Sequence, residues 1–125
     1  SFDDSLAMAI SRGDCKTLDV NHILQRKKST CSEYTNLFTA LMRKKGIPCR
    51  FVAGFIFIPE QKFYGCHAWA ECYLKQYGWM AVDPQSGKSW LPTTIIRLCA
   101  GTDYTDCGLN SFMDLVPKSI EIVKE

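Results

Sequence analysis

Both ends of one helix are written into this chain, and the segments after that helix restrict the fold. Thr30-Cys31-Ser32-Glu33 fits a capping box. In that motif the Thr30 hydroxyl accepts from the Glu33 amide, and the Glu33 carboxylate reaches back to the Thr30 amide. Cys31 is then the first helical residue. Tyr34, Leu37, Phe38, Leu41 and Met42 recur at helical spacing, which predicts a buried apolar face. Gly46 supplies a left-handed position past the last turn and Pro48 prevents resumption, so the helix should end near Lys45.

Strand patterns come next. Residues 49–58 are dense in β-branched and aromatic types (Phe51, Val52, Phe55, Ile56, Phe57, Ile58), which predicts a strand buried on both faces. Residues 59–65 break it. A second strand is expected over 66–74, with Ala68, Ala70, Cys72 and Leu74 on one face and His67, Trp69, Glu71 and Tyr73 on the other. A loop over 75–78 leads into 79–83, and Pro84 ends that segment because it has no donor for a sheet ladder. The two segments read as an antiparallel hairpin. Asp83 then falls opposite the Trp69 region, one diagonal step from His67, a separation of about 7 to 8 Å at the Cα atoms. A slip of one residue would put the two on opposite faces, and the turn chemistry leaves both registers open.

A thiol, an imidazole and a carboxylate in this order are the parts of a cysteine acyl-transfer site. Free amides and the macrodipole at a helix start favour the Cys31 thiolate, and the same amides can line an oxyanion hole. Asp83 would orient the His67 ring and leave its other nitrogen for the thiol. Each residue also has an ordinary reading: a buried cysteine, a strand histidine, an Asp-Pro turn starter. The ordered set of three is what points to chemistry.

With these residues in view the chain resembles a member of the transglutaminase-like superfamily, within the broader papain-like fold. The resemblance rests on Thr30-Cys31-Ser32-Glu33-Tyr34, Leu37-Phe38, Leu41-Met42-Arg43 and Gly46-Ile47-Pro48-Cys49-Arg50. It continues through His67-Ala68-Trp69-Ala70-Glu71, Gly78-Trp79 and Val82-Asp83-Pro84. Gly101-Thr102-Asp103-Tyr104-Thr105-Asp106 is similar to a segment in many bacterial members. The resemblance implies an α+β fold, with the nucleophile helix packed on an antiparallel sheet, and a Cys-His-Asp triad at Cys31, His67 and Asp83. Ser29 stands where many relatives carry glycine, and Cys49 where alanine is usual. The segment before Cys31 is short, so the motif assigns no residue to complete an oxyanion hole. Asn21 and Gln25 are chemically able candidates, with a surface role as the alternative. Trp69 and Trp79 are expected to shape the cleft or to pack in the core, and Glu71 to support His67 or to be a solvated strand residue.

At 125 residues the chain reads as one domain, enough to bury about two-thirds of its unfolded surface. Its net charge of +2 implies no nucleic-acid partner. The cluster Arg26-Lys27-Lys28 reads as a solvated face, or as a source of positive potential that steers an acidic substrate toward Cys31. No apolar run approaches the roughly 18 residues of a spanning helix, so no membrane partner is expected. The chain starts at Ser1 without methionine and without a signal peptide, as a processed protein or a piece of a longer one would. Short helices are expected over 2–10 and over 19–25, the latter with Ile23 and Leu24 inward, and strands over 93–99 and 118–124. Seven cysteines leave at least one unpaired. A reducing, cytoplasmic setting without disulfides is the simplest account, and three bridges among Cys15, Cys49, Cys66, Cys72, Cys99 and Cys107 is the alternative. With no CxxC pair, neither a metal nor any other cofactor is expected, and the zinc-bearing peptide N-glycanase branch is disfavoured.

The expected function is therefore acyl transfer from an amide or peptide bond of a protein or peptide substrate, through a Cys31 thioester. Water as acceptor makes a protease or amidase, and an amine makes a transglutaminase; the resemblance to small bacterial members leans toward hydrolysis. The alternatives are a catalytically silent domain that binds a peptide or protein, and an enzyme that transfers an acyl group from a thioester cofactor to an arylamine. Nothing in the sequence suggests a coenzyme A site for the last.

Overall fold

A computed structural model describes residues 20–60, 62–89 and 91–108, without the side chains of Val20, Ile58 and Phe63. The helix expected over 2–10, the strand expected over 118–124, Cys15 and Asp19 lie outside the described residues.

Among the described residues two helices precede a four-stranded sheet. Helix α1 (Val20–Arg26) buries Ile23, but Leu24, expected inward, is exposed. The chain leaves α1 through Lys27 in a left-handed conformation (φ 54°) and enters α2 (Cys31–Lys44) at the expected residue. The capping box is present, with the Thr30 amide donating to the Glu33 carboxylate at 3.2 Å. The Ser29 hydroxyl donates to the same carboxylate. At the other end Gly46 (φ 78°) donates to the Arg43 carbonyl at 2.9 Å, and Ile47 to that of Met42 at 3.0 Å. These two bonds are the Schellman closure that a glycine past the helix end permits.

The buried stripe of α2 differs from the one its apolar spacing predicts. Ser32, Glu33, Thr35 and Thr39 are its buried residues, while Phe38 and Met42 are partly buried and Leu41 is exposed. Small polar residues sit on the buried stripe because Thr35 and Thr39 lie four apart, on one face, and Thr39 satisfies its hydroxyl on the Asn36 carbonyl at 2.9 Å. Apolar spacing located the helix and mislocated part of its inner face.

The sheet has the order β3-β2-β1-β4 and is antiparallel throughout: β1 (Cys49–Ile58), β2 (Phe63–Leu74), β3 (Gly78–Val82) and β4 (Ile95–Gly101). β1 has the expected bounds, β2 starts three residues earlier than expected, and β4 lies two residues later. Helix α2 packs on β1 and β2. Cys49, Phe51 and Ala53 pair with Cys72, Ala70 and Ala68, and this face carries the core. Val52 and Trp69 are equally buried on the opposite face. β1 and β4 shift register at Ala53/Gly54, where a Cβ on Gly54 would lie 1.9 Å from the Ile96 carbonyl oxygen and 2.9 Å from the Trp69 ring. Glycine is required there by close approach. After β4, Asp106 accepts from the Thr102 amide at 2.7 Å and ties the turn that delivers Tyr104 and Cys107 to the core. Among the described residues no helix is long and apolar enough to cross a membrane.

Candidate active site

Asp83 owes its position to the end of β3. The ladder with β2 closes at Ala70↔Val82, so the next residue, Asp83, sits across from Trp69 and diagonal to His67. This is the register that puts Asp83 and His67 on one face. Asp83 Oδ2 lies 3.0 Å from His67 Nε2. Its other oxygen, Oδ1, accepts from the amides of Gln85 (3.0 Å) and Ser86 (3.4 Å), and its own amide donates to the Lys88 carbonyl at 2.7 Å. The carboxylate is thus held on Oδ1 by the turn that Pro84 starts and on Oδ2 by the imidazole.

Cys31 approaches from the opposite face of β2, the one on which α2 packs. The Tyr73 amide donates to the Pro48 carbonyl, so odd-numbered amides near the end of β2 point to β1 and even-numbered ones to β3. Ala68 lies beyond the last β3 pair, and its amide faces an edge that no strand among the described residues covers. The Cys31 sulfur takes that place and accepts from the Ala68 amide, and it also hydrogen-bonds His67 and Ser32. With Nε2 on Asp83, the ring nitrogen left for the thiol is Nδ1.

The electrostatics follow from this packing. Burial works against a charged sulfur, but the hydrogen bond and charge of His67, the Ala68 amide and the Ser32 hydroxyl outweigh it and hold the Cys31 thiol below its ordinary value. Burial likewise opposes an imidazolium. The Asp83 hydrogen bond and the Cys31 hydrogen bond and charge overcome it, and His67 is raised to about 9. Burial opposes the Asp83 carboxylate too, and His67 and Ser86 pull its carboxyl down. The arrangement favours a thiolate, an imidazolium and a carboxylate in a row. Trp69 lies alongside the imidazole, with ring centroids 6.4 Å apart and planes 24° from parallel.

A family model of the transglutaminase-like superfamily matches residues 6–84, more than half of the chain. The chain belongs to that superfamily. The stretch matched includes Cys31, His67 and Asp83 of this transglutaminase-like chain. A rice (Oryza sativa subsp. japonica) peptide-N(4)-(N-acetyl-beta-glucosaminyl)asparagine amidase is 33% identical over 70 residues, 55% of this chain and 14% of that protein. A protein-glutamine gamma-glutamyltransferase of Pseudomonas aeruginosa is 29% identical over 70 residues, 50% of this chain and 10% of that protein. Among solved structures, a candidate cysteine protease from Cytophaga hutchinsonii superposes with a TM-score of 0.63 at 19% identity, covering 85% of this chain and 32% of the other. That likeness fixes the fold: an α+β architecture with a helix on an antiparallel sheet. The chain spans a small fraction of the length of both curated relatives.

The other residues singled out in the sequence fall in different places. Asn21 and Gln25 share one face of α1, four residues apart, and both are exposed. Trp69 is 1% exposed, so it backs the imidazole from within the core and forms no open wall. Trp79 pairs with Tyr73, six residues along β2 from His67 and thus roughly 20 Å away, and carries Arg50 at 4.0 Å over its ring. It has no part in the same cleft. Glu71 turns to Arg50 (2.6 Å) and Arg97 (3.1 Å) across three strands and supports no histidine. Arg26, Lys27 and Lys28 are exposed. Three contributors near the sulfur escaped the sequence reading: the Ala68 amide, the Ser32 hydroxyl and Tyr104, which packs in the cluster that also receives Cys31. Tyr104 lies in the segment that the family resemblance had flagged; the Ala68 amide was within reach of strand parity once the hairpin register was set. Among the described residues no group of three or more His, Cys, Asp or Glu is placed to hold a metal.

Proposed function

We propose that this chain is a cysteine-dependent acyl-transfer enzyme that opens an amide or peptide bond of a protein or peptide substrate. Cys31 is the nucleophile, His67 the general acid and base, and Asp83 the residue that orients the ring. The observation that carries the reading is the position of His67, its Nε2 3.0 Å from the Asp83 carboxylate and its other ring nitrogen hydrogen-bonded to the Cys31 sulfur. In the reaction the Cys31 thiolate adds to the carbonyl, and free amides at the start of α2 donate hydrogen bonds to the oxyanion. The His67 imidazolium gives its proton to the leaving amine, and a Cys31 thioester remains. His67, now neutral, takes a proton from the second nucleophile. Water in that role gives hydrolysis and an amine gives transfer; relatives with both kinds of name, an amidase and a glutamyltransferase, support keeping the two within one mechanism.

The test needs no substrate. The rate of Cys31 alkylation by iodoacetamide is followed against pH by mass spectrometry, in the wild type and in His67→Ala. Reactivity that persists to about pH 5 in the wild type, and is lost at acid pH in His67→Ala, is the expected result. A Cys31 that titrates near the ordinary thiol value of about 8.5 in both proteins would point instead to a domain that binds without turnover.

A further inference from the structure

Cys49 and Cys72 are both buried, and neither takes part in the chemistry above. They face each other directly across β1 and β2, and their sulfur atoms are 2.8 Å apart. The Tyr73 amide bonded to the Pro48 carbonyl makes 48↔73 the hydrogen-bonded pair, so Cys49↔Cys72 is a non-hydrogen-bonded pair. Cα atoms in such a pair lie about 4.5 Å apart, with side chains close. That is within the roughly 4.4–6.8 Å span of natural disulfides. Both thiols project onto the face where Phe38, Met42 and Ile47 pack.

We propose that Cys49 and Cys72 are a cross-strand oxidation site, which a small-molecule disulfide of the oxidised-glutathione class converts to an intrachain disulfide. In the exchange two S–H bonds are lost and one S–S bond forms between Cys49 and Cys72. The two electrons reduce the glutathione disulfide, which takes up two protons to leave as two glutathione thiols. A Cys49 or Cys72 thiolate attacks first, giving a mixed disulfide, and its partner resolves it. Cys49 is pushed up to about 12 by burial and by its neighbour, so exchange is slow at neutral pH in the folded chain and proceeds during folding or at alkaline pH. The bridge would staple the start of β1 to the end of β2. It lies five residues along β2 from His67 and packs against Phe38, Met42 and Ile47, away from Cys31 at the start of α2. Odd cysteine number and a reactive Cys31 are compatible with this assignment, because the bridge consumes two thiols that the site does not use.

The full chain is refolded in a mixture of oxidised and reduced glutathione, trapped with iodoacetamide and digested with trypsin. The expected product is the peptide ending at Arg50 joined to the peptide over 63–75, with fragmentation placing the bridge on Cys72 and not on Cys66. Melting of the bridged form should rise on the order of 10 °C over the reduced form, and the rise should vanish in Cys49→Ala/Cys72→Ala. Native protein incubated with oxidised glutathione at pH 9 gives the same map without a refolding step. Cys49 and Cys72 both alkylated after either treatment, either one bridged elsewhere, or a bridge that lowers the melting temperature would overturn the proposal.

Discussion

Asp83→Asn is the sharpest test of how the three groups act together. His67 stands at about 9 in the folded chain against an ordinary 6.5, a gap that corresponds to about 3 kcal/mol in favour of the imidazolium. The Asp83 hydrogen bond leads the causes that raise it, followed by the Cys31 hydrogen bond and charge. Asparagine keeps the size and can still accept from the ring, but it removes the negative charge and the strength of a charge-assisted bond. The part owed to Cys31 remains, so His67 should fall by about one to two pH units without returning to 6.5. Cys31 alkylation should be bell-modulated in the wild type, with a basic change near pH 9 as the imidazolium loses its proton. In Asp83→Asn that basic change should move down into the range of about 7 to 8. Turnover on any substrate should drop on the order of 10⁴, by analogy with the serine triad, since the ring is then free to misorient. Stability follows with a definite sign. A raised histidine binds its proton more tightly in the folded state, so its contribution is complete below pH 6.5 and fades as pH rises through 9. The wild type should therefore lose part of its advantage over Asp83→Asn between those values, measured as urea midpoints at pH 6 and pH 9.5. Superimposable alkylation profiles for the two proteins would refute the reasoning, because they would mean that Asp83 has no electrostatic hold on His67.

Cys31→Ala should abolish turnover and leave the fold intact, with an unchanged far-ultraviolet circular dichroism spectrum; a collapsed spectrum would reveal a packing role instead. Gly54→Ala should destabilise by about 3 kcal/mol or more, because its Cβ would meet the Ile96 carbonyl at 1.9 Å and β4 cannot yield without breaking its ladder. Urea unfolding measures this, and a loss below about 1 kcal/mol would show that the strand pair gives way freely. Glu33→Ala should cost about 2 kcal/mol, since it strands the Ser29 hydroxyl and the Thr30 amide where water does not reach. The urea midpoint should fall with the slope unchanged.

The features that were legible in the sequence share a physical cause: each depends on a local rule with one answer. Thr30 and Glu33 start a helix only at Cys31, Gly46 and Pro48 stop it, and Gly78 and Pro84 fix how long β3 can be. Together these locate Cys31, His67 and Asp83 before any coordinate is known. The features that were not legible depend on which surface meets which. Leu24 and Leu41 read as core and are exposed, while Thr35 and Thr39, outside the expected apolar face, are buried, because helical spacing marks several adjacent stripes and only the partner sheet selects one. Trp79 was misplaced for the same reason: its type suits a cleft, but its register opposite Tyr73 puts it at the far end of the hairpin. The site itself arises between these two levels. Pro84 and the short β3 end the ladder at Val82, and that ending leaves the Ala68 amide without a strand partner on its outer edge. A helix start pressed against that edge can then offer a sulfur to the amide and to the neighbouring imidazole at once. The proline that terminates a strand is thus also the residue that makes room for the Cys31 sulfur. In this chain the local stop signal also shapes the candidate site, which explains why turn and cap residues alone lead so close to it.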